Sequence, residues 1–216
     1  GSLAGGVGLG IKLAAEYEQA TVAMGTLLGS TEAAKTMLAD LNDFAASTPF
    51  NFPELQESAT KLIAFGESQE NIIPTLRALG DVAAGVGMSL NDLAEMYGKN
   101  RVQGIISAQD INQMTGRGIP IIGELAKQFG VAESEIKGMV SSGKVNFSHL
   151  QKAFVSLTAE GGKFAGMMDA QSKTLTGVFS TMQDNVGLML RDVAMMLMDG
   201  IDLKGLLNQF NDAMPI

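Results

Sequence analysis

The side chains of this sequence that could do acid–base chemistry are a single histidine, His149, and four close glutamate pairs: Glu16/Glu18, Glu54/Glu57, Glu67/Glu70 and Glu133/Glu135. A triad hydrolase needs a histidine base beside a nucleophile, with an acid to orient it. The residues around His149, NFSHLQKAF, hold no nucleophile elbow, so His149 is read as a helix-surface residue. Glycoside cleavage needs two carboxyls in a sugar cleft, normally with aromatic platforms. The chain has no tryptophan and two tyrosines. Most of these glutamates fall in first turns or on outward faces, where they complement the helix dipole or pair with lysine, as Glu57 does with Lys61. No catalytic residue is expected. With no cysteine, one histidine and no EF-hand loop, no metal site is expected. The glycine-rich stretches GVGLG (6–10) and GRGIPIIG (116–123) neither follow a strand nor contain Gly-Lys-Ser/Thr. A phosphate cradle, and hence a nucleotide cofactor, is not expected. Gly6 and Gly10 stand four apart, a spacing that allows close helix approach, although a flexible chain end is the simpler reading.

Composition bounds the partners. The chain has 216 residues, 46% apolar and 18% charged, which argues against disorder and for a substantial buried core. A net charge of −8 opposes binding to nucleic acid or anionic lipid. LAGGVGLGIKLAA (3–15) is apolar but short and lacks a basic flank, so it is not read as a signal peptide. No segment reaches the ~20 uncharged apolar residues of a membrane span. Gly1-Ser2 is read as a cloning remnant, and the chain as a fragment of something longer.

The elements that would hold these residues all have helical period. A first helix is expected from about Leu9 to Leu28, stopped at Gly29. Ser30 or Thr31 caps a second, with Met37, Leu38, Leu41, Phe44 and Ala45 inward. In STPFNFPELQESATKLIAFG (47–66), Pro49 ends one helix. Asn51, Pro53 and Glu54 start the next, with Leu55, Ala59, Leu62 and Ile63 on one face and Gly66 at its end. Phe50 and Phe52 anchor this corner. The following helix carries Ile72, Leu76, Leu79, Ala83 and Val86, has Pro74 in its first turn, and ends at Gly85 and Gly87. Ser89/Asp92 and Ser107/Asp110 resemble capping boxes. Leu90, Leu93, Ala94 and Tyr97 follow the first of them. Pro120 starts a helix with Ile122, Leu125, Ala126 and Phe129 inward, stopped by Gly130. A short helix near 133–141 precedes a turn at Gly143. Phe147, Leu150, Phe154 and Leu157 mark another, broken at Gly161-Gly162.

The last segment differs. Leu175, Phe179, Met182, Val186, Met189, Val193 and Met196 alternate steps of four and three, the 3.5-residue period of supercoiling helices. Leu203, Leu207, Phe210 and Met214 keep the frame. Leu188, Leu190, Met195, Leu197 and Met198 widen the apolar stripe, which must be buried on the domain or against another subunit. These seven seam residues are the candidate interaction site. The fold class is all-α: an irregular multi-helix bundle with a long heptad-patterned C-terminal helix.

Several of these pieces occur in an order that resembles a family. GTLLGSTEAAKTMLADLNDFA (25–45), the corner at 47–66 and IIPTLRALGDVAAGVGMSLNDLA (72–94) come first. SAQDINQMTGRGIPIIGELAKQFGV (107–131), SSGKVNFSHLQKAF (141–154) and SKTLTGVFSTMQDN (172–185) follow. Over roughly residues 15–190 the chain resembles the N-terminal domain of tape measure proteins of tailed phages or prophages. The resemblance implies a non-enzymatic assembly protein inside the tail tube that sets tail length. It implies the tail tube, tail assembly chaperones and tail tip proteins as partners, with self-association. It also implies location in the tail lumen, after assembly in the host bacterial cytoplasm. No family site residue is carried over. The alternative is a peptidoglycan-degrading or membrane-active tail module that assists genome delivery. The expected division is 1–10, tag remnant and glycine-rich end; 11–170, helical domain; and 171–216, a long helix leading into the rest of the protein.

Overall fold

A computed structural model describes residues 3–174, 186–192 and 194–195, with side chains from Ile11 onward. The chain is all-α. Its helices are α1 (Leu3–Leu28), α2 (Thr31–Ala46), α3 (Phe52–Ala64), α4 (Gln69–Val86), α5 (Leu90–Gln103), α6 (Ala108–Gly116), α7 (Ile121–Phe129), α8 (Glu133–Ser141), α9 (Phe147–Thr158) and α10 (Met167–Ser172). Residues 186–192 and 194–195 are also helical. Among the described residues the sole β feature is an isolated antiparallel bridge between Ile105 and Asn146.

Local chemistry explains most of the boundaries. The Ser30 Oγ accepts from the Ala33 N–H, the Asn51 Oδ1 from the Glu54 N–H, and the Ser89 Oγ from the Asp92 N–H. Each satisfies a donor that the first turn leaves orphaned. Ser107 and Asp110 form a reciprocal capping box: the Asp110 N–H donates to Ser107 Oγ, and the Ser107 N–H to Asp110 Oδ2. Gly29, Gly66 and Gly130 take left-handed φ just past their helices, where a Cβ would be strained.

Three expectations change. α1 begins at Leu3, not Leu9, because glycine within a helix costs only about 0.5–1 kcal/mol and does not forbid it. Pro74 is not in the first turn of α4. That helix begins at Gln69 after Ser68, which puts Pro74 in its interior, with no N–H to offer the Glu70 carbonyl. Its flanking residues Ile72, Thr75 and Leu76 are buried, and that packing holds the helix through the defect. Gly85 does not end α4. Gly87 does, while Gly85 is a packing socket: a Cβ there would lie 2.2 Å from Phe164 Cδ1.

One core joins the elements from α1 to α10. α4 is its hub, packed against α2, α3, α5, α9 and α10. The expected inward residues of α2, α3 and α5 are all buried, as are Ile72, Leu76, Leu79 and Ala83 of α4. Val86, Ile122, Phe129 and Phe147 are half-buried against the core. In α7 the register turns slightly, so that Ile121 and Glu124 are buried beside Leu125 and Ala126. Tyr97 of α5 meets Phe147 and Phe154 of α9 edge-on, at centroid distances of 4.9 and 5.7 Å.

Candidate association surface

Helical residues 186–192 and 194–195 pack beside α1. The side facing the bundle carries Gly187, Leu188, Arg191 and Ala194. Gly187 approaches Leu13, and Ala194 and Arg191 are buried. The Arg191 guanidinium stacks on the Tyr17 ring at 4.6 Å, with Nε and Nη2 both donating to Asp192 Oδ1 at 2.9 and 2.6 Å. Tyr17 in turn stacks on Phe52, at 6.3 Å between centroids. A cleft of about 600 Å³ lies between α1, the start of α3 and this segment.

The other side of the segment carries Val186 and Met189, which are 53% and 69% exposed. Of the seven seam residues these two are described, and both face away from the bundle. Leu175, Phe179, Met182, Val193 and Met196 lie outside the described residues, as does the full extent of the heptad pattern. The flanking Leu188, Leu190 and Met195 are half-buried. Such a helix has one face seated on its own domain and the next apolar face open to solvent.

The candidate acid–base residues have structural uses. The Glu54 carboxyl is pushed above its ordinary range by burial, but it accepts the Leu90 N–H at 3.3 Å at the start of α5 and is engaged there. Glu57 is exposed and is held below its ordinary range by Asn91 and Lys61, with Lys61 Nζ at 3.3 Å. Glu16, Glu18, Glu70, Glu133 and Glu135 are exposed. Glu67 corrects the outward reading: its side chain is 1% exposed and bonded to Arg101 Nη1 at 3.2 Å. His149 is half-buried, and its Nδ1 accepts the Asn146 N–H as part of the α9 cap. Burial, and then Lys152, lowers its pKa.

Sequence reasoning missed Asp81, Glu124 and Arg191, three buried charges on helices that otherwise read as ordinary amphipathic segments. Glu124 lines a cleft of about 560 Å³ with Glu133 and Glu160. Burial pushes its pKa up, but Lys127 Nζ at 2.6 Å and Ser156 Oγ at 2.7 Å outweigh burial and leave it lowered. A general acid for sugar cleavage needs a raised pKa, and no aromatic residue lines this cleft. Among the described residues, no three His, Asp or Glu side chains could hold a metal ion together, and no helix is long and apolar enough to cross a membrane.

The arrangement offers surfaces for packing. A curated relative, the Mu-like prophage FluMu protein gp42 of Haemophilus influenzae, is 28% identical over 180 residues. The match covers 81% of this chain and 27% of that protein, so the chain spans about a quarter of its relative's length. No solved structure matches significantly. The family profile described as tape measure protein matches residues 8–195, nearly the whole chain. The chain belongs to the tape measure protein family, whose members are structural proteins of phage tails.

Proposed function

We propose that this chain is the folded N-terminal part of a longer tape measure protein that sets tail length and lies inside the tail tube. In this reading residues 11–170 are the folded domain, and residues 171–216 are an arm leading into the long helical remainder. The arm associates through Leu175, Phe179, Met182, Val186, Met189, Val193 and Met196 with further copies of the protein. The tail tube, tail assembly chaperones and tail tip proteins are its other partners. It is made in the host bacterial cytoplasm and resides in the tail lumen of the virion. The observation that carries the reading is the exposed Val186–Met189 face on a helix whose opposite face is already seated on α1. Family membership and the relative's greater length support the ruler role.

The test is genetic. In-frame deletions in the helical remainder of the whole protein, with this domain intact, should shorten tails in proportion to the residues removed. Electron microscopy of virions gives the lengths. Tails of unchanged length would overturn the ruler reading.

A further inference from the structure

The cleft of about 600 Å³ between α1, the start of α3 and the helical segment at 186–192 holds an unmet hydrogen-bonding capacity. Its walls are largely apolar: Leu13, Tyr17 and Ala20 of α1, Phe52 and Pro53 of α3, and Leu188. The exposed carboxylates that line it are paired, Glu16 with Lys12 Nζ at 3.7 Å and Glu57 with Lys61 Nζ at 3.3 Å. Arg191, which also lines it, is 9% exposed, and its guanidinium lies on the Tyr17 ring in the cleft wall. Nε and Nη2 both donate to one oxygen of Asp192, whereas Nη1 is buried with no hydrogen-bond partner. A buried donor left without an acceptor carries its whole desolvation penalty, so Nη1 favours anything that brings an acceptor to it.

We propose that this cleft docks a short segment of another protein in which a Glu or Asp is flanked by large aliphatic side chains. The carboxylate bonds Arg191 Nη1, and the aliphatic groups lie against Tyr17, Phe52 and Leu188. A carboxylate is the acceptor that a guanidinium holds most strongly. Asp192 does not fill that role for Nη1: it is 55% exposed, so water screens its charge and leaves Arg191 able to hold a second anion. Glu16 and Glu57 repel a free anion such as phosphate, so the acid must arrive on an apolar body whose burial outweighs them. They also select a peptide over a fatty acid. Both bring a carboxylate and an apolar body, but only a peptide brings backbone N–H groups that Glu16, Glu57 and the cleft-lining Gln19 and Gln56 can accept. The site is separate from the outward Val186–Met189 face and from the ruler role.

The test uses the full chain and a fluorescent peptide, Ser-Leu-Glu-Leu-Ser with both ends blocked, read by polarisation. The peptide should bind, and its Gln counterpart should bind about tenfold or more weakly. Arg191→Gln should erase the difference between the two. Ala23 lines the cleft from the exposed side of α1, so Ala23→Trp should fill the cleft and abolish binding of both peptides while the melting midpoint stays put. That variant keeps the test valid even where Arg191→Gln loosens the helical segment. No binding, equal binding of the two peptides, or a preference for Glu that survives Arg191→Gln would overturn the site. Hexanoate competing as well as the peptide would assign the cleft to small amphipathic acids instead. Self-association by light scattering that is lost in Ala23→Trp would make a second copy the occupant, and either result would overturn the assignment to another protein. Tail lengths in deletion mutants do not enter these readouts, so the ruler role and this site can fail independently.

Discussion

Replacing Met189 with glutamate separates association from folding. Met189 is 69% exposed, and its outward neighbour Val186 is 53% exposed. A substitution at so open a position should change fold stability by no more than about 0.5 kcal/mol. Association is another matter. Burying the exposed part of a methionine side chain is worth about 1–2 kcal/mol. A symmetric pair of helices counts it twice, so truncation alone removes about 2–4 kcal/mol, about 30- to 1000-fold in the dissociation constant. Glutamate adds the desolvation of a charge at a dry seam, which pushes the loss to the upper end or beyond. The assay is multi-angle light scattering across a concentration series, run beside thermal melts. The wild type should show mass rising with concentration; Met189→Glu should stay monomeric and melt at the wild-type temperature. A wild type that is monomeric at every concentration, with Met189→Glu melting far lower, would place the seam inside the core and refute the reasoning.

Two further predictions concern the scaffold. Arg101 Nη1 bonds buried Glu67 at 3.2 Å and Nη2 bonds the Gly66 carbonyl at 2.8 Å, clamping the α3–α4 corner to α5. Arg101→Ala leaves the buried carboxylate only the Ser68 N–H at 3.2 Å and should cost about 3 kcal/mol, whereas Glu67→Gln leaves a partly exposed guanidinium that reaches water and should cost less. Chemical denaturation giving the reverse order would refute the clamp. Tyr97, whose pKa burial and then the Glu67 charge push up to about 12, is favoured as the neutral phenol in the fold. Its contribution is fully present below pH ~10 and is lost as the pH rises through ~12, so Tyr97→Phe should remove this part of the alkaline loss of stability in melts taken across that range.

What the sequence determined alone was mostly local. A cap is decided within three residues, so Asn51, Ser89 and Ser107 could be placed before any tertiary contact was known, the cap of α2 was narrowed to Ser30 or Thr31, and α8 matched its expected bounds. Amphipathic spacing picked out the buried faces for the same reason: a helix with one apolar stripe has one way to bury it. Glycine was legible only where it ends a helix. At Gly80, Gly85 and Gly98 the missing side chain makes room for Met168, Phe164 and Phe65, and nothing nearby in sequence announces which residue will arrive. Buried charge was illegible for a related reason. Glu67, Asp81 and Glu124 look like surface carboxylates until Arg101, the Met168 N–H and Ser156 are brought to them from 32 to 87 residues away. Of the candidate surface, the sequence supplied the three–four spacing but not its direction. Only the packing of Arg191 on Tyr17 and of Ala194 against the bundle decided that Val186 and Met189 face outward, because a wide apolar stripe can seat itself in more than one rotation and the tertiary contacts choose among them.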